Sequence, residues 1–378
     1  MDADHLTIGF IRRGYSRSGG AESYLQRLAG GVREAGHQTR LVTTDAWPDG
    51  EWQSGLVTRV SGKTPTQFAD EFEALRPTLG CDVIMSLERV WQCDVYRAGD
   101  GVHRAWLARR QRYNSVLGKM RCIFNRKHRG ILRLEESLFG HAGARRVIVN
   151  SQMVQREIEQ LYGCPEEQID VVRNGLPLAQ FRFTPEARTE KRQALGLAPE
   201  SIAALFVGSG WERKGLRFAI TAVENCNDPR LQLLVAGHGT PAKYRSRSLR
   251  FLGVVQDLQA LYAAADIFLL PTIYDPSSNA CLEAMAVGLP VITTKGNGFS
   301  ELMEEGRDGS IIKEPDNTAA LCAALRFWSN GETREKSRAS REEHARKFSI
   351  GRNVNATLQI LLQATASAAS TSGKIRKT

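Results

Sequence analysis

Short apolar runs alternate with amphipathic stretches along most of this chain. Thr7–Ile11, Gln38–Thr43, Val83–Ser86, Arg146–Asn150 and Ile169–Val172 are continuous apolar or β-branched runs bounded by turn residues, the pattern of strands buried on both faces. Between the first two, Tyr24, Leu25, Leu28, Ala29 and Val32 recur at helical spacing, and Ala35-Gly36-His37 ends the helix. A second series starts near residue 202. It predicts strands at Ile202–Val207, Leu231–Ala236, Leu249–Leu252, Asp266–Leu270 and Val291–Thr294. Helices are predicted from Leu216 to about Asn225, at Asp257–Ala265 and at Thr318–Ser329. Strand–helix–strand alternation of this kind predicts α/β domains built on doubly wound parallel sheets.

Two such domains are expected, because 378 residues exceed one ordinary core. The boundaries read as 1–180 and 181–348, with a helix at 349–366 and a disordered Ala/Ser/Thr/Gly/Lys tail at 367–378. The stretch 174–200, with its prolines and arginines, reads as the linker. No apolar run approaches the ~20 residues that span a bilayer. The acidic Met1-Asp2-Ala3-Asp4-His5 leads directly into a strand and lacks the form of a secretory signal. The seven cysteines are scattered without metal spacing, so a reduced, cytoplasmic setting and no metal site are expected.

Charge changes the picture in one place. The net charge is +10, and Gly101–Arg133 alone holds ten Lys or Arg and no Asp or Glu. These cations interleave with Trp106, Leu107, Val116, Leu117, Met120, Ile123, Phe124, Ile131 and Leu132. Arg112, Lys119, Arg126 and Arg133 recur every seven residues, nearly in line on a helix. A basic amphipathic helix suits an anionic membrane surface, and it also fits a core helix with a solvated basic face. Nucleic acid would use similar cations, but no RNA-binding motif or aromatic stacking set accompanies them, so no nucleic-acid partner is predicted.

The candidate chemistry clusters at strand ends. Asp275 and Glu283 flank the small-residue loop Pro276-Ser277-Ser278-Asn279-Ala280-Cys281. A carboxylate is a pure acceptor and suits sugar or ribose hydroxyls, or the pair is simply a helix cap and an exposed acid; a small-residue loop would expose backbone amides. Gly208 and the pair Arg213-Lys214 follow the strand Ile202–Val207. Two cations there can neutralise a diphosphate, or lie on a solvated turn. Gly19-Gly20 stands between a strand and a helix, where glycine allows an anion to approach, and equally fits an ordinary turn. Asp100 lies between two glycines, as an acceptor-side acid or a turn residue.

Taken in order, these motifs resemble the retaining GT-B glycosyltransferases of family 4 over nearly the whole chain. The motifs are Gly19-Gly20-Ala21-Glu22, Asn174-Gly175, Gly208 with Arg213-Lys214-Gly215, Phe251-Leu252-Gly253, and Asp275 through Pro290. The resemblance implies two Rossmann-like domains facing a cleft, with the nucleotide on the C-terminal one. It implies Arg213 and Lys214 on the diphosphate, with Gly20 near it, and Glu283 on the ribose. Asp275 and the loop after it would meet the donor sugar. Asp275 replaces the family's usual Glu, one methylene shorter. No metal and no cofactor beyond a UDP-sugar donor are implied. Within the family, Asp94-Val95-Tyr96 through Asp100 resembles the acceptor side of the lipopolysaccharide-core glucosyltransferase branch. That branch implies a glycolipid acceptor and a peripheral position on the inner membrane. A GT-B sugar-nucleotide epimerase is the alternative within the enzymes, and a nucleic-acid-binding protein with a degenerate sugar site is the alternative outside them.

Overall fold

The computed structural model describes residues 5–15, 20–114, 125–141 and 143–375, with the backbone alone at 20–21 and 366–375. The chain forms two compact units, Met1–Arg173 with Ile350–Thr378, and Asn174–Ser349.

The first unit holds a seven-stranded parallel sheet of β1 (Thr7–Ile11), β2 (Gln38–Thr43), β3 (Leu56–Arg59), β4 (Val83–Ser86), β5 (Cys93–Arg97), β6 (Ala144–Val149) and β7 (Ile169–Val171). The order is β3-β2-β1-β4-β5-β6-β7. Helix Gly20–Glu34 buries Leu25, Leu28, Ala29 and Val32 in one core with Ile8, Phe10 and Met85. Helix Ile350–Ile375 adds Val354, Leu358 and Leu361 to the same core. The two helices approach closely at Gly31, where a Cβ would lie 2.4 Å from Val354 Cγ1. The last helix therefore completes the first unit. It also continues past 366, where a tail was expected, because the Ala-rich segment contains no proline to stop it.

The second unit holds a six-stranded parallel sheet of β8 (Ile202–Val207), β9 (Leu231–Ala236), β10 (Leu249–Gly253), β11 (Ile267–Leu270), β12 (Val291–Thr294) and β13 (Gly309–Ile312). Its order is β10-β9-β8-β11-β12-β13. Strands β8, β11 and β12 are buried throughout, as their uninterrupted apolar sequences require.

Residues 174–200 are not a linker. Thr184 caps helix Pro185–Ala194 by accepting from the Ala187 amide. From that helix Arg188 donates to Asp266 Oδ1 at 2.7 Å and Arg192 to Oδ2 at 3.0 Å. Arg334 joins at 3.3 Å. Burial alone would push the Asp266 carboxyl up, but Arg188, the Ala203 amide and Arg334 outweigh it and hold the group below its ordinary value. The arginines that suggested a solvated connector are anchored on a buried acid.

Candidate functional site

Each sheet reverses its strand order once, between β1 and β4 and between β8 and β11. In open α/β sheets, loops leaving the carboxyl ends of strands at such a point form the ligand crevice. In the second unit these two loops are pressed together. The Ile273 amide and Thr272 Oγ1 both donate to the Arg213 carbonyl, at 2.9 and 2.8 Å. Gly215 has φ +79°, and a Cβ there would lie 1.9 Å from the Pro271 carbonyl oxygen, so only glycine allows the approach. The next residues in each loop carry the charges. Lys214 Nζ pairs with Asp275 Oδ2, and both side chains are largely shielded, at 13% and 6% exposure. Gly208 lies along the Lys214 stem, and Arg213 is half-buried beside it.

Asp275 is fixed through its backbone as well. Its amide donates to the Gly296 carbonyl and its carbonyl accepts from Gly298, at 2.9 and 2.8 Å. The loop then enters helix Asn279–Ala286. Asn279, Ala280 and Cys281 are the first turn of this helix, not part of an open loop. Ser278 Oγ accepts from the Cys281 amide, so that amide serves the cap. The Cys281 thiol is wholly buried, and burial pushes it up to about 12. Asn174 Nδ2 holds the same turn by donating to the Ser277 carbonyl at 3.0 Å and to Asn279 Oδ1 at 2.8 Å.

Glu283, half-buried on this helix, accepts from the Tyr262 hydroxyl at 2.8 Å. Burial, and then the Glu283 charge, raise Tyr262 well above its ordinary value, so the hydroxyl remains a donor. Sequence reasoning missed Tyr262 and Asn297. The Asn297 side chain is fully satisfied in the core. Its Oδ1 accepts from the Ser278 and Phe299 amides, and its Nδ2 donates to Thr293 Oγ1 and Cys281 Sγ. The only local signal was an Asn between two glycines after a strand.

Arg213, Lys214, Gly208, Asp275, Asn279, Ala280, Cys281 and Glu283 thus belong to one unit, and Gly20 and Asp100 to the other. Gly20 begins helix Gly20–Glu34, and Gly19 lies outside the described residues. Asp100 is exposed in the turn after β5, closed by the Gly101 amide on the Ala98 carbonyl at 3.0 Å. At the end of β1, Arg12 pairs with Glu22 at 3.0 Å and Glu88 at 3.6 Å. Burial opposes its charge, but Glu88, Asp100 and Glu22 raise it above its ordinary value.

Among the described residues of the basic segment there are two helices, not one continuous helix. His103–Gln111 ends before Arg112, and Arg126–Glu135 starts afresh where Asn125 accepts from the Lys127 and His128 amides. Arg126 and Arg133 share the second helix, and Arg112 lies beyond the first, so they do not form one row. Lys119 lies outside the described residues. Arg126, Lys127, Arg129 and Arg133 are exposed. Among the described residues no helix is long and apolar enough to cross a membrane, and no three His, Cys, Asp or Glu could hold a metal.

Two family models match, Glycosyltransferase Family 4 over residues 18–180 and Glycosyl transferases group 1 over residues 202–330. An uncharacterized glycosyltransferase of Methanocaldococcus jannaschii is 28% identical over 46% of the chain, which spans about half (48%) of that relative's length. The lipopolysaccharide glucosyltransferase WaaG of Escherichia coli is 23% identical over 85% of the chain and 89% of its own length. The crystal structure of a WaaG superposes with a TM-score of 0.80 at 21% identity, covering 94% of this chain and 99% of that one. The structure of Anabaena HepE in complex with UDP-glucose gives 0.70 at 20% identity, over 97% and 100%. These superpositions place the two sheets in the GT-B fold.

Proposed function

Since the chain belongs to the group 1, family 4 glycosyltransferases, we propose that it moves a hexose, glucose by preference, from a UDP-sugar to a glycolipid acceptor with retention at the anomeric carbon. The Lys214–Asp275 pair at the sheet's reversal point carries this reading. A shielded cation beside a shielded carboxylate suits a ligand that brings a diphosphate and hydroxyls together. In the proposed complex, Lys214 and Arg213 turn to the diphosphate, with Gly208 at its approach. Glu283, steadied by Tyr262, accepts from the ribose diol, and Asp275 accepts from donor-sugar hydroxyls at the first turn of helix Asn279–Ala286. The amides of Asn279 and Ala280 supply positive dipole there.

Asp100 is the proposed acceptor-side acid. The acceptor hydroxyl oxygen forms its bond to the anomeric carbon on the face from which the diphosphate leaves. The carbon–diphosphate bond breaks, the hydroxyl proton passes to the departing diphosphate oxygen, and UDP is released. Stabilising that developing charge is the work of the two cations, without a metal.

The acceptor reading draws on the likeness to WaaG, named as a lipopolysaccharide glucosyltransferase, and the donor reading on HepE, named as a complex with UDP-glucose. Lipopolysaccharide core heptose is the proposed acceptor. The exposed cations of helix Arg126–Glu135 are the proposed contact with anionic lipid at the inner face of the membrane. Incubation with radiolabelled UDP-glucose, UDP-galactose and lipid extracts tests the proposal. Label in the lipid phase, with the α-linkage retained by NMR, is expected. Interconversion of UDP-sugars without lipid labelling would identify an epimerase instead.

A further inference from the structure

We propose that Glu135 is a positioning residue that, with Arg89, holds the Asp100 turn in its working geometry. The inference rests on the glycosyl-transfer reading above.

Glu135 ends helix Arg126–Glu135 and is wholly buried. Both its oxygens are occupied. Oε1 accepts from the His103 amide at 2.6 Å and from Arg89 Nε at 3.0 Å. Oε2 accepts from the Arg104 amide at 3.2 Å and from the Tyr162 hydroxyl at 2.8 Å. His103 and Arg104 open helix His103–Gln111, whose cap residue, Val102, has no side-chain acceptor. The carboxylate therefore supplies from another helix the cap that this one lacks, and a negative group suits that position. Arg89 Nη2 also donates to the Gly101 carbonyl at 2.9 Å. Residues 101, 103 and 104, immediately after Asp100, are each tied to the Arg89–Glu135 pair.

Burial opposes the Arg89 charge, but Tyr96, Glu135 and Asp100 raise the guanidinium above its ordinary value. Arg89 is committed to Glu135 and to the carbonyl of Gly101, the residue after Asp100. A local Ser or Asp at 102 would cap the helix equally well but would leave Arg89 uncommitted.

Glu135→Gln keeps the shape and one acceptor oxygen. Transfer to lipid acceptor should fall about ten- to a hundredfold in kcat, as small misplacements of a reacting group do. KM for the UDP-sugar and UDP affinity should hold, and amide exchange should quicken at residues 101–104 alone. Because Glu135 acts through Asp100, the double variant Glu135→Gln/Asp100→Asn should transfer no more slowly than Asp100→Asn by itself. Losses that multiply, or quickened exchange with normal transfer, would overturn the proposal and leave Glu135 a mere cap. A wild type that turns over no UDP-sugar, with lipid or with water, would sink the glycosyl-transfer reading itself before any variant is made, and this inference with it.

Discussion

Lys214 and Asp275 meet across 61 positions of sequence, and each is the other's counter-charge. Lys214→Ala should fold normally, because Asp275 keeps its two backbone bonds to the Gly296–Gly298 turn. Its turnover should drop about a hundred- to a thousandfold, the loss expected when one donor to a developing oxyanion is removed. A variant within about fivefold of wild type would end the diphosphate assignment. Glu283→Ala removes the acceptor that Tyr262 orients. Titration calorimetry should show UDP binding weakened by about 1.5–3 kcal/mol, the value of a hydrogen bond to a charged group. Unchanged UDP affinity would reduce Glu283 to a structural partner of Tyr262.

At the scale of elements, helix Pro185–Ala194 depends on Asp266. That carboxyl is held below its ordinary value, so its contribution is complete above the unfolded value of about 3.9 and is lost as pH falls through the lower folded value. Asp266→Asn should cost about 3–5 kcal/mol at neutral pH, since it leaves half-buried guanidinium groups without their counter-charge. Denaturant melts should show the penalty shrinking below about pH 4. A penalty independent of pH would mean that packing, not charge, is lost. Helix Arg126–Glu135 presents Arg126, Lys127, Arg129 and Arg133 to solvent, each worth ~1 kcal/mol at an anionic surface. Replacing all four with Gln should release the protein from phosphatidylglycerol vesicles in a flotation assay, with UDP binding intact. Retention of the variant would remove this helix from the membrane reading. Strands β8, β11 and β12 were legible because burial on both faces leaves no polar position to confuse the pattern. Edge strand β3, with Leu56 and Val57 exposed, was invisible for the opposite reason. Lys214, Asp275 and Glu283 could be picked out because charge after an apolar strand is conspicuous. Asn297, Tyr262 and the role of Arg188 could not be read, since their meaning lies in partners that only the fold brings near.

For the molecule as a whole, the metal-free reading makes a direct demand. Dialysis against EDTA should leave transfer within about twofold, because Lys214 and Arg213 are proposed to meet the diphosphate charge that a divalent ion would otherwise neutralise. Collapse of activity, restored by Mg²⁺ or Mn²⁺, would reverse that assignment. Helix Ile350–Ile375 has a further consequence, for the order in which the chain matures on the ribosome. The second unit is one uninterrupted stretch, Asn174–Ser349, and can close its core as it emerges. The first unit is made earlier but must wait for its last helix, with the surface around Gly31 and Leu28 uncovered in the meantime. The part translated first is therefore the part finished last. Throughout that interval the nascent chain carries an open apolar groove, which only its own final segment, or a chaperone, can cover.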